Sequence, residues 1–395
     1  MPRMMQNLVK EWKKFPDEAA AGLKDALNKK HIKATEFSLR ECFGECFGYD
    51  LLNGTLGEFQ RTEMRQVREA AGAVSSDAFL NISQQFAFAA VLDAYDLPEL
   101  VVKKLIPSRT SKFRNERVPG ISHIGDNLGG VVGEGKDFPE FGVSEDYIDT
   151  PETVKRGGII PVTKEAIFFD QTGQLNDRLG KAGEWLGVND EKRAIDCVID
   201  AGETSGNQYR YRWLGNAIQT YGDSSGTHSW DNLAASNALS TYANVETAWK
   251  LLMAITDPFT GEPQMVTAKH IMVPPALAFT VPFALKGMVK KVAPGYATSG
   301  NPVSTEVDNP VGDIVGNLQT VTSQLIRART GDDTTWFMGD ISAAFEEIVN
   351  WPLQVLQLGA GSQDEFKRDI VMQFRADKRS TFNTKQPRKM VKCTA

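Results

Sequence analysis

The stretch that decides the fold runs from Thr153 to Asp200 and reads TVKRGGIIPVTKEAIFFDQTGQLNDRLGKAGEWLGVNDEKRAIDCVID. Its first part, residues 153–163, has the composition of a β-strand, with a glycine pair typical of a bulge. From Leu175 onward the apolar residues recur at steps of four and three, which predicts a helix over Gln174–Ala201. Gly187-Val188-Asn189 is expected to bend this helix or to split it in two. A long surface helix beside an extended segment favours a component of an assembly over an enzyme with a pocket.

The region just before the helix, residues 118–158, crowds nine glycines and three prolines into a short window. Fixing so much backbone freedom inside a compact core costs conformational entropy. A stretch of this length without strong core residues is more plausible outside the core. We therefore expect a projecting hairpin, or a loop that becomes ordered when it contacts another chain.

The flanking regions have patterns of their own. Residues 1–40 show helical spacing that is interrupted at Pro16, and a better helix is expected over Ser76–Tyr95. The region after residue 209 is typical of a compact α+β domain. Strands are expected at His270–Val273, Leu318–Ala328, Trp336–Met338 and Asp369–Arg375, and helices at Val245–Ile255 and at Ile341–Val349 with Asp340 as N-cap.

Length and composition exclude several classes of protein. With 395 residues, 41% of them hydrophobic and 24% charged, the chain has room for two or three domains. Four cysteines are too few for a disulfide scaffold. The N-terminus lacks the apolar segment of a signal peptide, and no apolar stretch approaches the roughly 20 residues of a membrane span. A soluble chain without a membrane partner is expected.

The net charge of −6 is unevenly distributed. Residues 1–40 carry +4 and residues 375–395 carry +6, so the remaining 334 residues carry −16. Basic ends are typical of arms that meet nucleic acid or an acidic partner, although solvated surface is the simpler interpretation. The acidic body argues against a dedicated DNA-binding protein, which needs clustered cations to neutralise phosphates.

Two short segments match most of a known catalytic or nucleotide-binding motif, but each lacks a part that the motif requires. Residues 130–136, GVVGEGK, match a phosphate-binding P-loop, but Asp137 stands where the motif needs a serine or threonine. Residues 222–226, GDSSG, have the spacing of a nucleophile elbow, but a polar loop follows instead of a helix. Cys42 and Cys46 are four apart without the partners of a zinc site. We therefore predict that the chain has no catalytic, cofactor-binding or metal-binding residues and that it is not an enzyme.

The order of the elements resembles a known family. Thr153–Asp170 running into Leu175–Asp200 resembles the extended loop and spine helix of phage major capsid proteins of the Hong Kong 97 type. Ala268–Pro275, AKHIMVPP, is similar to the strand-then-helix passage of that family's axial domain. Thr334–Asp340, TTWFMGD, resembles a strand that precedes its last peripheral elements. The resemblance covers roughly residues 75–395 and lies in the order of these motifs.

The resemblance implies an α+β capsid fold with the following division. We expect an N-terminal helical arm or assembly segment (1–75), a connection (76–117), an extended loop (118–165), a peripheral domain with the spine helix (166–208), an axial domain (209–350) and C-terminal peripheral strands (351–395). Family members often remove an N-terminal segment during maturation, for which the basic helical start is the candidate.

The resemblance also implies where neighbouring copies would meet. Candidate intersubunit contacts are Lys136, Phe138, Phe141, Lys155 and Arg156 of the extended loop. Some relatives join a loop lysine covalently to an asparagine of the peripheral domain. Lys136 is placed for this role, with Asn350 or Asn383 as its partner, but a solvated lysine is the simpler account.

The implied function is a shell subunit. Copies would form hexamers and pentamers of an icosahedral head in the virion, assembled in the host cytoplasm around double-stranded DNA held non-specifically. A portal, a scaffold or a maturation protease are further expected partners. Two alternatives stay open: an encapsulin-like cellular compartment with the same fold, and a serine hydrolase or nucleotide-binding enzyme built on the near-motifs.

Overall fold

The computed structural model describes residues 2–32, 41–42, 45–46, 70–119, 131–138, 147–163, 174–201, 211–213, 216–222, 230–256, 261–286, 289–292, 304–307, 311, 315, 318–358 and 370–395. Its helices are α1 (Pro2–Lys14), α2 (Pro16–Asn28), α3 (Ala70–Tyr95), α4 (Val102–Leu105), α5 (Gln174–Ile199), α6 (Tyr242–Ala254), α7 (Thr280–Lys286), α8 (Gln324–Thr330) and α9 (Ile341–Ala344).

The strands are β1 (Ser108–Thr110), β2 (Arg117–Pro119), β3 (Tyr147–Asp149), β4 (Val154–Thr163), β5 (Tyr211–Trp213), β6 (Asn216–Ile218), β7 (Leu233–Ala234), β8 (His270–Val273), β9 (Val289–Val292), β10 (Ser304–Val307), β11 (Gln319–Thr322), β12 (Trp336–Gly339), β13 (Phe345–Leu358), β14 (Ile370–Thr384) and β15 (Met390–Cys393). Short 3₁₀ turns cover Pro275–Leu277 and Pro387–Lys389. The predicted α+β class is confirmed.

The chain divides into two compact units. The first unit consists of residues 1–98, 155–189 and 351–379, and the second of residues 99–154, 190–350 and 380–395. Each unit has its own hydrophobic core. The domain boundaries expected from the resemblance stay a prediction.

The first unit is mainly helical. Helices α1 and α2 pack on each other and on α3. Pro16 starts α2, where its missing N–H costs no hydrogen bond. Trp12, Leu23 and Phe86 are buried in a core that also takes in Phe374 of β14. The apolar spacing of residues 2–28 therefore marks a packed face, since α1, α2 and α3 bury it together.

The second unit is centred on a five-stranded sheet in the order β11-β8-β12-β15-β7. Alternate residues of its central strands enter different cores. Ile271 of β8 packs with Trp336 and Met338 of β12 and with residues of α6, whereas Met272 and Phe337 pack with the C-terminal half of α5. Because side chains alternate across a strand, each face of the sheet carries its own helix layer.

Helix α5 does not break at Gly187, so of the two expected outcomes, a bend or a split, the split is wrong, and the bend stays a prediction. The helix runs without interruption from Gln174 to Ile199. Ala194, Ile195 and Val198 in its C-terminal half are fully buried. A glycine inside a helix costs about 1 kcal/mol relative to alanine, which burial of several apolar side chains outweighs.

Two element boundaries differ from expectation. The strand predicted over Leu318–Ala328 is only β11, and α8 follows because the Ser323 side chain accepts a hydrogen bond from the N–H of Leu325 as an N-cap. The helix predicted over Ile341–Val349 ends at Ala344, and β13 begins at once. Parallel pairing with β1, in the register Ser108↔Glu347, holds that segment as a strand.

Asp340 caps α9, as predicted. Its carboxylate accepts from the N–H of Ala343 at 3.3 Å and from the Ser342 hydroxyl at 2.6 Å, and it pairs with Lys269 Nζ at 2.6 Å. Burial alone would raise the pKa of Asp340, but these hydrogen bonds and the Lys269 charge outweigh it and lower that pKa. The folded state therefore prefers the ionised carboxylate.

We expect Asp340→Ala to destabilise the second unit by about 1 kcal/mol at pH 7, the usual value for an N-cap. A lowered carboxyl pKa contributes stability above its unfolded value and loses it as the pH falls through the folded value. The difference in the free energy of unfolding between wild type and variant should therefore decrease when the pH is lowered below 4. Urea unfolding at pH 7 and pH 3 measures it. Asp333→Ala, which removes the exposed pair with Arg327, is the control with a change below about 0.5 kcal/mol. An undiminished gap at pH 3 would contradict the assignment.

Candidate assembly surfaces

The glycine-rich region leaves the fold through a paired stem. Strands β2 and β3 are antiparallel in the register Arg117↔Asp149 and Pro119↔Tyr147. Arg117 Nε lies 3.1 Å from Asp149 Oδ1, and its guanidinium stacks over the Tyr147 ring at 4.3 Å from the centroid. The chain thus departs at Pro119 and returns at Tyr147. Such a stem is what a hairpin made by residues 120–146 requires.

Residues 131–138 are the described part of this excursion, and we call them the loop tip. Every one of their side chains is exposed or half-buried. The chain turns at Gly135, whose φ of 73° suits glycine, and Lys136 N donates to Gly133 O at 3.0 Å. No helix begins within residues 131–138, so this segment does not have the geometry of a P-loop.

The loop tip presents large apolar side chains to solvent. Val131 is 89% exposed and Phe138 is 84% exposed, while Lys136 between them is exposed as well. Leaving a phenylalanine in water forgoes about 1.5–3 kcal/mol of burial. Apolar side chains with this much exposed surface are typical of a contact with another molecule. Phe141 lies outside the described residues.

The other two contact candidates have partners within the chain. Lys155 Nζ lies 3.3 Å from Asp377 Oδ2 and 5.9 Å from the centroid of the Trp351 ring. Arg156 is half-buried and is not free either. Next to them, a Cβ on Gly157 would lie 2.4 Å from Ala376 O, so β4 approaches β14 closely. This end of the loop is therefore built into the first unit.

The proposed cross-link partners of Lys136 are engaged in hydrogen bonds. Asn350 Nδ2 donates to Ser111 O at 2.9 Å and to Phe113 O at 2.8 Å. Asn383 is 1% exposed, and its Nδ2 lies 3.3 Å from Glu346 Oε1. An isopeptide bond would remove these contacts, since it releases the amide nitrogen as ammonia. The cross-link stays a prediction.

The basic C-terminal segment differs from a solvated surface. Lys378 is buried and its Nζ lies 2.9 Å from the Tyr95 hydroxyl, and Arg375 pairs with Asp377 at 3.1 Å. Arg388 is fully buried, with its guanidinium 5.9 Å from the Trp230 ring centroid. Two of the seven cations in residues 375–395, Lys378 and Arg388, are therefore buried within the fold, and the other five are exposed or half-buried.

The second unit has an exposed apolar patch that is not among the predicted contacts. Phe279, just before α7, is 83% exposed, and Phe283, four residues later in the middle of α7, is 74% exposed. Their spacing is the spacing of a core face, and in α6 a similar pattern is indeed buried. Only the tertiary structure separates the two cases.

Buried ionisable groups in the second unit have structural partners. Both oxygens of Glu191 accept N–H groups at the start of α4, from Val101, Val102 and Lys103, at 2.8 to 3.1 Å. Burial raises the pKa of Glu191 against the effect of these hydrogen bonds. His270 Nδ1 accepts from the N–H of Ile341 at 3.3 Å, and burial lowers the pKa of this histidine. Both groups cap helix ends.

All four cysteines are buried and none forms a disulfide. A hydrogen bond with Cys46, together with burial, raises the pKa of Cys42 well above its ordinary value, and burial raises that of Cys393 to about 12. Across the described ranges, no three His, Cys, Asp or Glu side chains are grouped as metal ligands. The helices of those same ranges include none long and apolar enough to cross a membrane.

The buried ionisable groups described above serve as helix caps, and large apolar side chains are exposed in the loop tip and on α7. This combination is typical of a structural protein that associates through its surface. Comparison with known proteins names the class. A family model described as phage capsid protein matches residues 147–393. None of the curated proteins matches the chain.

Several solved structures are similar in fold. A virus-like particle from Pyrococcus furiosus is 15% identical, covers 78% of this chain and 97% of that chain, and has a TM-score of 0.38. The capsid of a native GTA particle is 12% identical over 76% and 91% of the two chains, with a TM-score of 0.43. A chain from Mycobacterium phage Bobi is 13% identical over 74% of this chain and 89% of that chain, with a TM-score of 0.44.

The family model spans more than half of the sequence, so the chain belongs to the family of phage capsid proteins. The predictions of a capsid fold and of a major capsid protein are thereby confirmed. The protein is a structural component of the virion shell.

Proposed function

We propose that copies of this chain form hexamers and pentamers that close into an icosahedral shell around double-stranded phage DNA. In this shell the extended loop lies over a neighbouring copy, and the Phe279–Phe283 patch of the axial region meets another neighbour. Assembly would take place in the host cytoplasm. A portal, a scaffold or a maturation protease are further candidate partners of such a shell.

The observation that carries this proposal is the loop tip. Phe138 and Val131 are almost fully exposed at the end of a stem whose base is ordered by the Arg117–Asp149 pair. In a capsid protein the ready partner for such a tip is another copy of the same chain. Interlocking loops bury more area than the roughly 1,600 Å² of a standard interface, because each copy both gives and receives one.

The charge of the chain fits a container for DNA. The 334 residues between the basic ends carry −16, so the body would let packaged DNA slide without sticking. Two of the seven cations of the C-terminal end, Lys378 and Arg388, are buried, which leaves at most five of them for phosphates. Binding of DNA to the inner surface would be weak and would decrease steeply with salt.

The expressed chain should form uniform hollow particles in negative-stain microscopy. Phe138→Ser should reduce the assembled fraction at least tenfold in a sedimentation assay, because the tip loses its apolar anchor, while Phe138→Tyr should retain it. Thermal unfolding of the unassembled variants should be unchanged, since the Phe138 side chain is 84% exposed in the subunit. A wild-type protein that stays a monomer or dimer contradicts the proposal.

Two further readings separate the alternatives. Nucleic acid extracted from particles made during infection supports the phage head, whereas particles that hold a cargo enzyme support an encapsulin-like compartment.

Denaturing gels decide the Lys136 cross-link. A ladder of multimers supports it, and a single band at 43.5 kDa contradicts it.

A further inference from the structure

The N-terminal helices α1 and α2 are built into the hydrophobic core of the first unit. Val9 and Trp12 of α1 are 4% and 5% exposed, and Leu23 of α2 is 3% exposed. These side chains belong to the same core as Ile82 and Phe86 of α3, which are buried as well. Both helices therefore use their apolar faces inside the unit.

This core extends well beyond α3. It includes Leu179 of α5 and continues to the strands of the unit, where Val162 of β4, Val355 of β13 and Phe374 of β14 are buried. Helices α1 and α2 thus cover the core that also holds these strands. Interfaces that have to separate are comparatively polar, whereas this one is made of large apolar side chains. It has the composition of a permanent contact.

A third piece of the N-terminal region joins the same core. Cys42 and Cys46 are 0% and 3% exposed and belong to it. Gln6 Nε2 of α1 donates a hydrogen bond to Glu45 Oε1 at 3.0 Å, which ties α1 to this piece of the chain. Removal of the chain up to residue 46 would therefore take buried side chains from α1, from α2 and from the two cysteine positions.

The outward surfaces of α1 and α2 are charged. Lys10, Glu11 and Lys14 of α1 are exposed, and so is Glu18 of α2. A helix that binds a separate protein presents an apolar face to it. Among the described side chains of residues 6–32, Phe15 is the one large apolar group that is exposed. The apolar faces of these two helices are thus already occupied within their own chain.

We propose that α1 and α2 are a permanent structural part of the first unit and remain in the subunit of the finished particle. The inference rests on the proposed function, because it concerns the subunit after assembly. It departs from the family resemblance, which makes the basic helical start a candidate for removal. The face of α3 around Phe86 is then the binding surface of this helix pair, and a maturation protease that acts on the shell leaves residues 2–46 in place.

The first test is peptide mass spectrometry of DNA-filled particles from infected cells. Peptides that contain Trp12 and Leu23 are expected in a one-to-one ratio with the peptide of β14 that contains Phe374. Particles without the two N-terminal peptides overturn the inference and leave the shell function standing. Failure of the chain to form any particle contradicts the shell function, and the core role of α1 is then measured on the unassembled chain.

That measurement uses a matched pair of aromatic variants. Trp12→Ala should lower the midpoint of thermal unfolding of the first unit by at least about 6 °C, because it leaves a cavity in the core. Phe15→Ala removes a side chain that is 60% exposed and should change the midpoint by less than about 2 °C. Equal midpoints overturn the inference.

Hydrogen exchange of the wild-type chain replaces this comparison if Trp12→Ala does not fold. The amides of α1 and α2 should exchange as slowly as those of α3, because elements that share a core open together. Exchange in α1 and α2 that is more than about a hundredfold faster than in α3 would show a detachable segment and overturn the inference.

Discussion

Gly183→Ala is expected to lower the free energy of unfolding of the first unit by about 3 kcal/mol. At Gly183 α5 passes close to the backbone of α3: a Cβ there would lie 2.2 Å from Val91 O and 2.9 Å from Val91 C. These are backbone atoms in the middle of a helix, so they cannot rotate away as a side chain can. The helices must separate, and Val91 and Leu179 would then lose part of their packing in the core.

The matched control is Gly180→Ala, one turn earlier on the same helix. Its added methyl group would meet only the Ala94 methyl at 4.0 Å, which is ordinary contact. Replacing a helical glycine by alanine should then stabilise the unit by up to about 1 kcal/mol. Urea unfolding followed by circular dichroism compares the two variants. Equal effects of the same sign would show that the close approach is not what sets the stability.

Asn232→Ala is expected to cost about 4 kcal/mol, since several buried backbone groups would lose their partner at once. Asn232 is fully buried, and its Oδ1 accepts from the N–H of Gly222 at 2.9 Å. Its Nδ2 lies 2.9 Å from Thr220 O and 3.2 Å from both Pro387 O and Met390 O. One side chain therefore joins three separate segments of the second unit.

The control for this variant is Gln319→Ala, which removes an exposed amide from β11 at the edge of the sheet. A surface change of this kind should stay within about 0.5 kcal/mol. Asn232→Asp is informative as well, because a carboxylate would face the three carbonyl oxygens and should be no better than alanine. If Asn232→Ala unfolds at the same urea concentration as Gln319→Ala, the hydrogen bonds of Asn232 do not contribute to the free energy of unfolding.

Much of the fold could be predicted from local pattern. The buried strand His270–Val273, the strand at Trp336 and the Asp340 cap follow from residues within a few positions of one another. The failures occur where distant pairing decides. Residues 345–349 have the apolar content of a helix, but β1 pairs with them from more than 200 residues away. Gly187 predicts a bend or a split in the helix, and the split does not occur because the turns that follow are buried.

The candidate surfaces could be predicted only in part. Glycine content indicates that residues 120–146 leave the core, and Phe138 is where the sequence placed a contact. Lys155 and Arg156 were grouped with it by sequence proximity, yet Lys155 pairs with Asp377, whose position no local pattern reveals. Phe283 is a contact candidate that the sequence could not reveal. Exposed aromatic residues on a helix can recur at the same interval as buried ones, so the spacing of Phe279 and Phe283 does not predict their exposure.

The burial of all four thiols has a practical consequence. Only a thiolate reacts with an alkylating reagent, and burial both hides these sulfur atoms and raises the pKa of Cys393 to about 12. Cys42 and Cys46 lie in the first unit, and Cys197 and Cys393 in the second. Pulsed alkylation followed by peptide mass spectrometry would therefore time the opening of each unit separately, with no dye or engineered tag, inside an intact particle.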